Sequence, residues 1–465
     1  MRWASVAVGG PPGDHARTHP RLSALVVALA VCAATFATGL ALRSPCASGA
    51  WWDPPQQYAN HCWSRLPYDY TTRGLAERTP PLSDDGGRFP PPRDTPPVAL
   101  VAYVAAIVTS AVSGWPDVGE RGSRPVTEIA GRVDVRAEAV TYTGIASLVL
   151  LVAALSTVGL LTRLHRPRPW DAMAAAAAPV LLLTATNGWD LLAVALATGA
   201  LWAWSRARVP TAGVLAGVGA ATAGWPVVVA LAAGLLCLRE RQAALAGRLL
   251  AATAGGFAAV VLPAYLVAPE GVAGWWSAAL RADVGDGATW QVPVLVNAGV
   301  PPVGWLEPLA VTGVLVAVAA LALRAQRRPR VPQVALLILV GLLLVHRTHE
   351  PASALWLLPL AALARPRWRD LILWQLGEVA YVLALGWHLQ GYTTPDSGRP
   401  DVVFTVAVLV RVVAELWLAA VVVRDVLRPW HDPVRATGRL DDPAGGPLDE
   451  AAALSRSSPR RTRSW

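Results

Sequence analysis

Long blocks of apolar residues recur along almost the whole chain and restrict the environment in which it can fold. Most blocks are roughly 17 to 27 residues long, enough for a helix to cross about 30 Å of hydrocarbon. Of 465 residues, 54% are hydrophobic and only 15% are charged, and a soluble fold could not cover that much apolar surface. The blocks do not alternate in polarity as barrel strands would. We therefore predict an all-α, polytopic integral membrane protein without a large soluble domain.

Arginine clusters between the blocks indicate which helix ends face the cytoplasm, because positive charge is retained on that side. The net charge of +9 arises from these clusters and from the C-terminal segment, so we expect the lipid bilayer and no nucleic acid as a partner. The clusters lie at 17–21, 163–168, 206–208, 239–248, 324–330, 365–369 and from 424 onward. With these inside, single spans are predicted at 22–42, 139–162, 171–187, 189–205, 246–267, 308–323, 332–345, 352–364, 371–388 and 401–423.

The block at 210–237 is too long for one crossing, and both of its ends must face the cytoplasm. We predict a broken helical hairpin, two half-length helices that meet at Thr222-Ala223-Gly224-Trp225-Pro226. Broken helices within membranes usually line a cavity or binding site. The apolar segment at 98–113 does not fit this scheme, because a full crossing there would put the cluster at 163–168 or the N-terminus on the exterior side. Its depth in the membrane stays open.

The predicted protein is a helical bundle of about 12 spans in the cell membrane, with both termini cytoplasmic. It has a cytoplasmic N-terminus at 1–21, a transmembrane domain at 22–430 with outer loops at 43–97 and 269–307, and a disordered cytoplasmic tail at 431–465. The tail has too few large apolar residues to pack.

Tryptophan, aspartate, arginine and tyrosine concentrate in the predicted outer loops. Aromatic rings stack on sugar faces, arginine binds phosphate in bidentate fashion, and a carboxylate can deprotonate an attacking hydroxyl. These residue types suit a site for a sugar and a lipid-linked phosphate. The alternative is that the tryptophans anchor the chain at the membrane interface and that Asp190 caps a helix.

Other chemistries find little support in the sequence. His346, His349 and Glu350 resemble a metal cluster, but their spacing is not that of H-E-x-x-H, so we expect no metal and no cofactor. No P-loop, no G-x-G-x-x-G after a strand and no paired C-x-x-C is present, which argues against an ATPase, a Rossmann enzyme and a thiol oxidoreductase. Cys46 and Cys62 flank a polar outer stretch. The sequence leaves open whether they form a disulfide or remain free thiols.

Several short segments resemble the actinobacterial multi-span proteins of glycosyltransferase family 87. The resemblance extends from Cys46 to about Arg424. It rests on residues 62–64 (CWS), 72–76 (TRGLA), 168–172 (RPWDA), 185–196 (ATNGWDLLAVAL), 213–217 (GVLAG), 281–283 (RAD) with Trp290, 355–360 (LWLLPL) and 364–368 (ARPRW).

The resemblance implies a GT-C-like helical bundle with its site facing the exterior. Such an enzyme transfers a hexose, typically mannose, from a polyprenyl-phosphate-linked sugar donor to a glycolipid or glycan acceptor of the cell envelope. In the family the base is an acidic residue in a pattern like Cys-Tyr-Ser-Asp, where this chain has Arg65. The nearest carboxylate, Asp69, is therefore the candidate catalytic base. The candidate substrate-binding residues are Arg65, Trp189, Asp190, Arg281, Asp283, Trp290, Arg347 and His349, with Arg281 and Arg347 as phosphate partners.

Departures from the family pattern leave two rival functions open. The lysine expected in the turn of the broken hairpin is absent from residues 221–226. One rival is a catalytically weakened relative that binds a lipid-linked sugar or a membrane partner. The other is a secondary transporter, which would have internal repeats that this chain lacks, although Glu378, Arg411 and Glu415 are charged residues within spans.

Overall fold

The computed structural model describes residues 23–62, 64–83, 85–90, 92–164, 168–299, 301–393, 401–435, 442 and 444–449. All regular secondary structure in these residues is helical, which confirms the all-α prediction. The N-terminal segment 1–21 lies outside the described residues.

Helices of eleven or more residues form the body of the described chain. They are α1 (Ala24–Leu42), α2 (Pro96–Val112), α3 (Val133–Leu164), α4 (Asp190–Ser205), α5 (Val209–Ala223), α6 (Val227–Arg239), α7 (Ala243–Val267), α8 (Pro269–Leu280), α9 (Val303–Arg324), α10 (Val331–Val345), α11 (Ala354–Ala364), α12 (Trp368–Leu389) and α13 (Val402–Leu427). Shorter helices occupy the connections: Ser44–Ala47, Pro54–Ala59, Leu66–Thr72, Val118–Gly122, Val126–Gly131, Met173–Ala176, Pro179–Thr184 and Val292–Leu295.

Five helices, α1, α3, α7, α9 and α13, are long and apolar enough to cross a membrane. Shorter apolar helices of 10–17 residues, among them α4, α5, α6 and α10, complete the bundle. Apolar residues cover both the buried and the exposed sides of the long helices, as expected where one side packs on protein and the other on lipid. The arrangement is that of a polytopic membrane protein, as predicted.

The broken hairpin lies where the sequence predicts it. Helix α5 ends at Ala223 and α6 begins at Val227, so neither has the roughly 20 residues of a full crossing. Between them Gly224 adopts φ 73° and ψ −58°, and the Trp225 amide donates to the Ala223 carbonyl at 2.8 Å. This γ-turn is strained for any residue with a side chain, which explains the glycine.

The predicted single span at 171–187 is not continuous. It is divided into two short helices, Met173–Ala176 and Pro179–Thr184, with Ala178 extended at ψ 124° between them. The residue before a proline is disfavoured in helical conformation, so Pro179 ends the first helix. The residues just before the break are almost all alanines, so Pro179 is the sole signal of the break in the sequence.

The segment whose depth was open, 98–113, forms α2. The helix starts beside the α5–α6 turn, where the Thr95 hydroxyl donates to the Thr222 carbonyl at 2.9 Å. Just after its end, the Arg78 guanidinium lies 5.2 Å from the centre of the Trp115 ring and donates to the Pro116 carbonyl at 3.2 Å. Both ends of α2 thus contact residues of the first outer loop or of the α5–α6 turn.

The first outer loop is a folded layer. Cys46 and Cys62 form a disulfide, which lies in a small apolar core with Ala50 and Trp51. In the same layer Glu138, near the start of α3, accepts from Arg121 at 2.6 Å and from the Tyr70 hydroxyl at 2.8 Å. These contacts fix the loop to the beginning of α3.

Arginines from the predicted cytoplasmic clusters gather at the other end of the bundle. Arg330 and Arg365 are fully buried, and they pair with Asp432 at 2.8 Å and with Asp425 at 2.6 Å respectively. Pairing and hydrogen bonding compensate the burial of such charges. The clusters at 324–330, at 365–369 and from 424 onward therefore meet in space.

Part of the predicted disordered tail is ordered in the structure. Besides Asp432, the Asp442 carboxylate accepts from the Val331 amide at 3.3 Å, and Ala444 and Leu448 are buried in the main core. The buried arginine at the start of α10 gives this acidic segment a partner, which composition alone does not reveal. Residues 450–465 lie outside the described residues.

Candidate functional site

Three stretches that are far apart in sequence meet at one end of the bundle. The Ser64 hydroxyl donates to the Thr186 carbonyl at 2.7 Å, and the Arg65 amide donates to the Asn187 carbonyl at 2.9 Å. The first outer loop is thereby fixed to the turn before α4. Since Thr95 is bonded to Thr222, the end of the same loop is also fixed to the α5–α6 turn.

A cavity of about 550 Å³ opens between these stretches. Its charged and aromatic lining consists of Arg65, Arg93, Asp94, Trp189, Asp190, Trp225, His346, Glu350 and Trp356. Its apolar lining consists of Val98, Val227, Val228, Val311, Leu339, Leu342 and Leu343. The lining therefore contains two sets of residues, a polar part and an aliphatic part.

Two guanidinium groups lie in the polar part and share one carboxylate. Arg65 and Arg93 approach Glu350 at 3.8 Å and 3.9 Å. Burial lowers the pKa of Arg65, but the carboxylates around it, Glu350 and Asp94 foremost, raise it above its ordinary value. Arg65 is therefore a permanent cation on the cavity wall.

Asp190 and two tryptophans, Trp225 and Trp356, also belong to the polar part. The Trp356 indole N–H donates to Asp190 Oδ1 at 2.9 Å, whereas Oδ2 has no hydrogen-bond partner among the described residues. The Trp356 ring stacks on Trp225 with centroids 5.8 Å apart and planes 15° apart. A buried carboxylate oxygen beside an aromatic wall suits a bound hydroxylated ligand.

Asp69, the predicted base, does not line the main cavity. It lies in the short helix Leu66–Thr72, one turn after Arg65, and its amide donates to the Arg65 carbonyl at 2.8 Å. Its carboxylate approaches Arg73 at 3.2 Å and lines a small adjoining pocket of about 70 Å³. Arg93 and Asp94 line both spaces and form their common wall.

The electrostatics of Asp69 are unusual for an aspartate. Burial raises its pKa to about 7, and the Asp94 carboxylate adds to the effect. The charges of Arg65, Arg73 and Arg93 oppose the shift but do not cancel it. A carboxylate with a pKa near neutrality is poised to accept a proton from a substrate.

The predicted residues of the second outer loop, and Arg347 in the turn at 346–351, are not on the cavity lining. Arg347 approaches Glu307 at 2.5 Å and donates to the Leu280 carbonyl at 3.1 Å, so it holds the loop to the start of α9. Arg281 is exposed and donates to the Ser277 hydroxyl at 2.8 Å. Asp283 is also exposed, and the Trp290 indole donates to the Val345 carbonyl at 2.7 Å.

His349 is separated from the neighbours with which it was grouped in the sequence. His346 and Glu350 line the cavity, whereas His349 is buried on the other side of the turn, beside Tyr381. Burial, with a further effect of the Arg411 charge, holds the pKa of His349 well below its ordinary value.

Sequence reasoning missed four cavity residues: Arg93, Asp94, Trp356 and the role of Glu350. Arg93 and Asp94 directly precede the proline-initiated helix α2, and this position after a long polar loop is a signal that could have found them. Trp356 lies in the resembling segment 355–360, but the apolar residues around it do not indicate that it lines a cavity. Of the predicted residues, the structure brings Arg65, Trp189 and Asp190 together on one wall.

Comparison with known proteins bears on this site. Residues 129–346 match the family model of glycosyltransferase family 87. The matched region is a little under half of the chain and includes the turn before α4 and the broken hairpin, but not the first outer loop. No curated protein matches the chain.

Proposed function

We propose that this chain is a glycosyltransferase that transfers mannose from a polyprenyl-phosphate donor. The premise is that residues 129–346 match the model of glycosyltransferase family 87. The acceptor in this proposal is a glycolipid or glycan of the cell envelope. The reaction takes place on the exterior side of the membrane, with both termini cytoplasmic.

The observation that supports this substrate class is the mixed lining of the main cavity. Cations, carboxylates and tryptophans line it together with aliphatic side chains, within a volume typical of small-molecule sites. A polyprenyl-phosphate sugar likewise combines a polar sugar phosphate with an apolar chain. A nucleotide sugar would leave the aliphatic part without a counterpart.

Arg65 and Arg93 are the proposed partners of the donor phosphate. Both lie on the cavity, and Glu350 holds both guanidinium groups near the same point. Their planar geometry allows bidentate bonds to a phosphate. They replace Arg281 and Arg347 in this role, since Arg347 is bound to Glu307 and Arg281 is at the surface.

Asp69 remains the proposed base. The acceptor hydroxyl enters the small pocket and loses its proton to the Asp69 carboxylate while its oxygen attacks the anomeric carbon of the donor. The new carbon–oxygen bond forms as the bond from that carbon to the phosphate oxygen breaks, which inverts the configuration at the sugar. Polyprenyl phosphate leaves beside Arg65 and Arg93. Asp94, on the wall between the two spaces, is the next carboxylate to test.

The rival of a weakened relative has one observation in its favour. Arg65 occupies the position of the family's acid and lies on the cavity, while Asp69 is one helical turn away from it. A chain that binds the donor without transferring its sugar would have this arrangement. Comparing Asp69→Asn with Arg65→Asp separates the two functions.

The proposal is tested in cells by the lipid-linked sugars that accumulate. A strain that lacks the gene should accumulate an envelope glycolipid or glycan that is one hexose shorter, together with unused polyprenyl-phosphate hexose. Expression of the wild-type chain should restore the parental pattern, and expression of Asp69→Asn should not. An unchanged pattern in the deletion strain would count against the proposed donor and acceptor.

A further inference from the structure

A second group of ionisable side chains lies behind the turn that carries Glu350. His349 from this turn, Glu378 from α12 and Glu415 from α13 place their ligand atoms within 4.8 Å of one another. His349 is 4% exposed and the two glutamates are 0% exposed. These residues do not line the main cavity, and the proposed reaction does not use them.

Most polar atoms of this group have no hydrogen-bond partner among the described residues. This applies to both ring nitrogens of His349, both carboxylate oxygens of Glu415 and Oε2 of Glu378. Glu378 Oε1 accepts from the Trp374 indole at 2.9 Å, and the two carboxylates lie within hydrogen-bonding reach of each other. Leaving a buried polar atom unpaired costs about 1–3 kcal/mol, so the His349 ring in particular lacks a partner that would compensate for its burial.

The charges facing the cluster favour a cationic partner. Arg411 is fully buried, its guanidinium lies 5.1 Å from the centre of the Tyr381 ring, and its nitrogens have no hydrogen-bond partner in the described part of the chain. Two ionised carboxylates and one guanidinium leave a net charge of −1. Charged groups within spans are costly, about 2.5–3.5 kcal/mol each on insertion scales. A divalent ion would change the net charge to +1, so it would compensate the two carboxylates but not the guanidinium.

We propose that His349, Glu378 and Glu415 bind a divalent first-row metal ion of the Zn²⁺ class. One imidazole nitrogen and one oxygen from each carboxylate form the donor set. Imidazole with carboxylates selects Zn²⁺ and its transition-metal neighbours, whereas Mg²⁺ and Ca²⁺ prefer oxygen ligands alone. Ligands about 2.1 Å from a tetrahedral ion lie about 3.4 Å apart, so the three atoms need to approach by less than about 1 Å each.

Such an ion would be a positioning element of the fold. It would join the turn at residues 346–351 to α12 and α13, on the side of that turn away from the cavity. The next residue, Glu350, approaches both Arg65 and Arg93. Metal binding itself does not rest on the proposed function, because it is measured without substrate.

The rival occupant is a proton shared by the two carboxylates, which would neutralise the charge of −1. The two alternatives differ in metal content. The full chain, purified in detergent without chelators, is supplied with one equivalent of Zn²⁺, desalted and analysed by mass spectrometry of the elements. We expect close to one Zn²⁺ per chain in the wild type and none in the Glu378→Gln/Glu415→Gln double variant.

Glu350→Gln and His346→Gln are the matched controls, because they alter the same turn but leave the three ligands in place. Both should retain the metal. Single replacement of Glu415 should weaken binding by more than the roughly 10–100-fold that loss of an outer-shell partner costs. Folding of every variant is checked by gel filtration.

If the double variant fails to fold, Co²⁺ substitution of the wild type gives an independent measurement. Co²⁺ in a protein site of nitrogen and oxygen ligands should produce visible absorption bands, and one equivalent of Zn²⁺ should displace it. Folded wild-type protein that shows no bands and retains no Zn²⁺ would overturn the proposal. A folded double variant that holds as much Zn²⁺ as the wild type would overturn it as well.

Discussion

Asp69 and Asp94 lie on the same small pocket and repel one another, which gives the proposed base its pH dependence. Only the ionised carboxylate can accept the proton of the acceptor. Because burial and Asp94 raise the pKa of Asp69 to about 7, activity should fall about tenfold for each pH unit below 7. Arg65, Arg73 and Arg93 are the opposing charges that face Asp69.

Asp94→Asn tests this coupling. Removing the repulsion lowers the pKa of Asp69, so the acidic limb of the profile of kcat/KM should move to lower pH. The control is Glu270→Gln, an exposed acid on α8, which should leave the limb in place. A limb that does not move in Asp94→Asn would assign the titration to another group.

Gly188 allows the Arg65 guanidinium to lie against the turn before α4. A Cβ at this position would lie 2.9 Å from an Arg65 terminal nitrogen and 3.1 Å from Asp190 Oδ2. Gly188→Ala should therefore displace two cavity side chains while the backbone is retained. We expect a rise in KM for the donor of about 10-fold or more, as for a weakened charge-assisted bond, with little change in the melting temperature. A loss of stability without an effect on KM would show that Gly188 is needed for the backbone conformation of the turn and not for the positions of Arg65 and Asp190.

At the scale of single residues, the sequence indicates which side chains belong to the site better than it indicates where those side chains lie. Arg65, Trp189 and Asp190 were found because both of their segments carry the family resemblance, and the structure shows that these segments touch. Arg347 was expected at the phosphate, but its position depends on Glu307, a partner 40 residues away that no local pattern connects to it.

At the scale of elements, the α5–α6 turn offers the clearest prediction. Gly224 has a positive φ, and a Cβ there would meet no atom within 4 Å, so a substitution acts through the backbone alone. Gly224→Ala should cost roughly 1–3 kcal/mol of strain or reorient Trp225, which stacks on Trp356 in the cavity wall. Thermal unfolding and donor KM should both change. Gly255→Ala on α7, where a Cβ also meets no atom and φ is ordinary, is the control and should be neutral or slightly stabilising.

Elements differ in how well the sequence predicts them, for physical reasons. The broken hairpin was predicted because arginines at both ends of a long block require the chain to return. Helix α2 could not be placed, because the arginine rule counts crossings and does not show which residues the two ends of a helix contact. The break at Pro179 was missed because length and hydropathy do not register one disfavoured backbone conformation.

At the scale of the whole molecule, the arginine end and the cavity end define two opposite ends of the bundle. We predict that the cavity end faces the exterior. Cys32 and Cys237 are buried and the other two cysteines are bonded, so single cysteines can be introduced into the wild-type chain. In intact cells an impermeant maleimide should label Ser123→Cys and Asp283→Cys, both exposed positions on the outer side. Ala243→Cys, exposed near Arg239, should react only after permeabilisation. The reverse pattern would place the cavity in the cytoplasm.

The central claim, that this chain transfers a sugar from a lipid phosphate with Asp69 as base, is tested most directly by transfer in vitro. The full chain in nanodiscs is given radiolabelled polyprenyl-phosphate-mannose and a membrane-lipid extract as the source of acceptor. We predict transfer by the wild type and by Glu270→Gln, and a rate about 10² to 10⁴ lower in Asp69→Asn. Transfer that Asp69→Asn leaves undiminished would remove Asp69 from the mechanism. No transfer by the wild type, with transfer by Arg65→Asp, would contradict the account and show a scaffold that has lost its base.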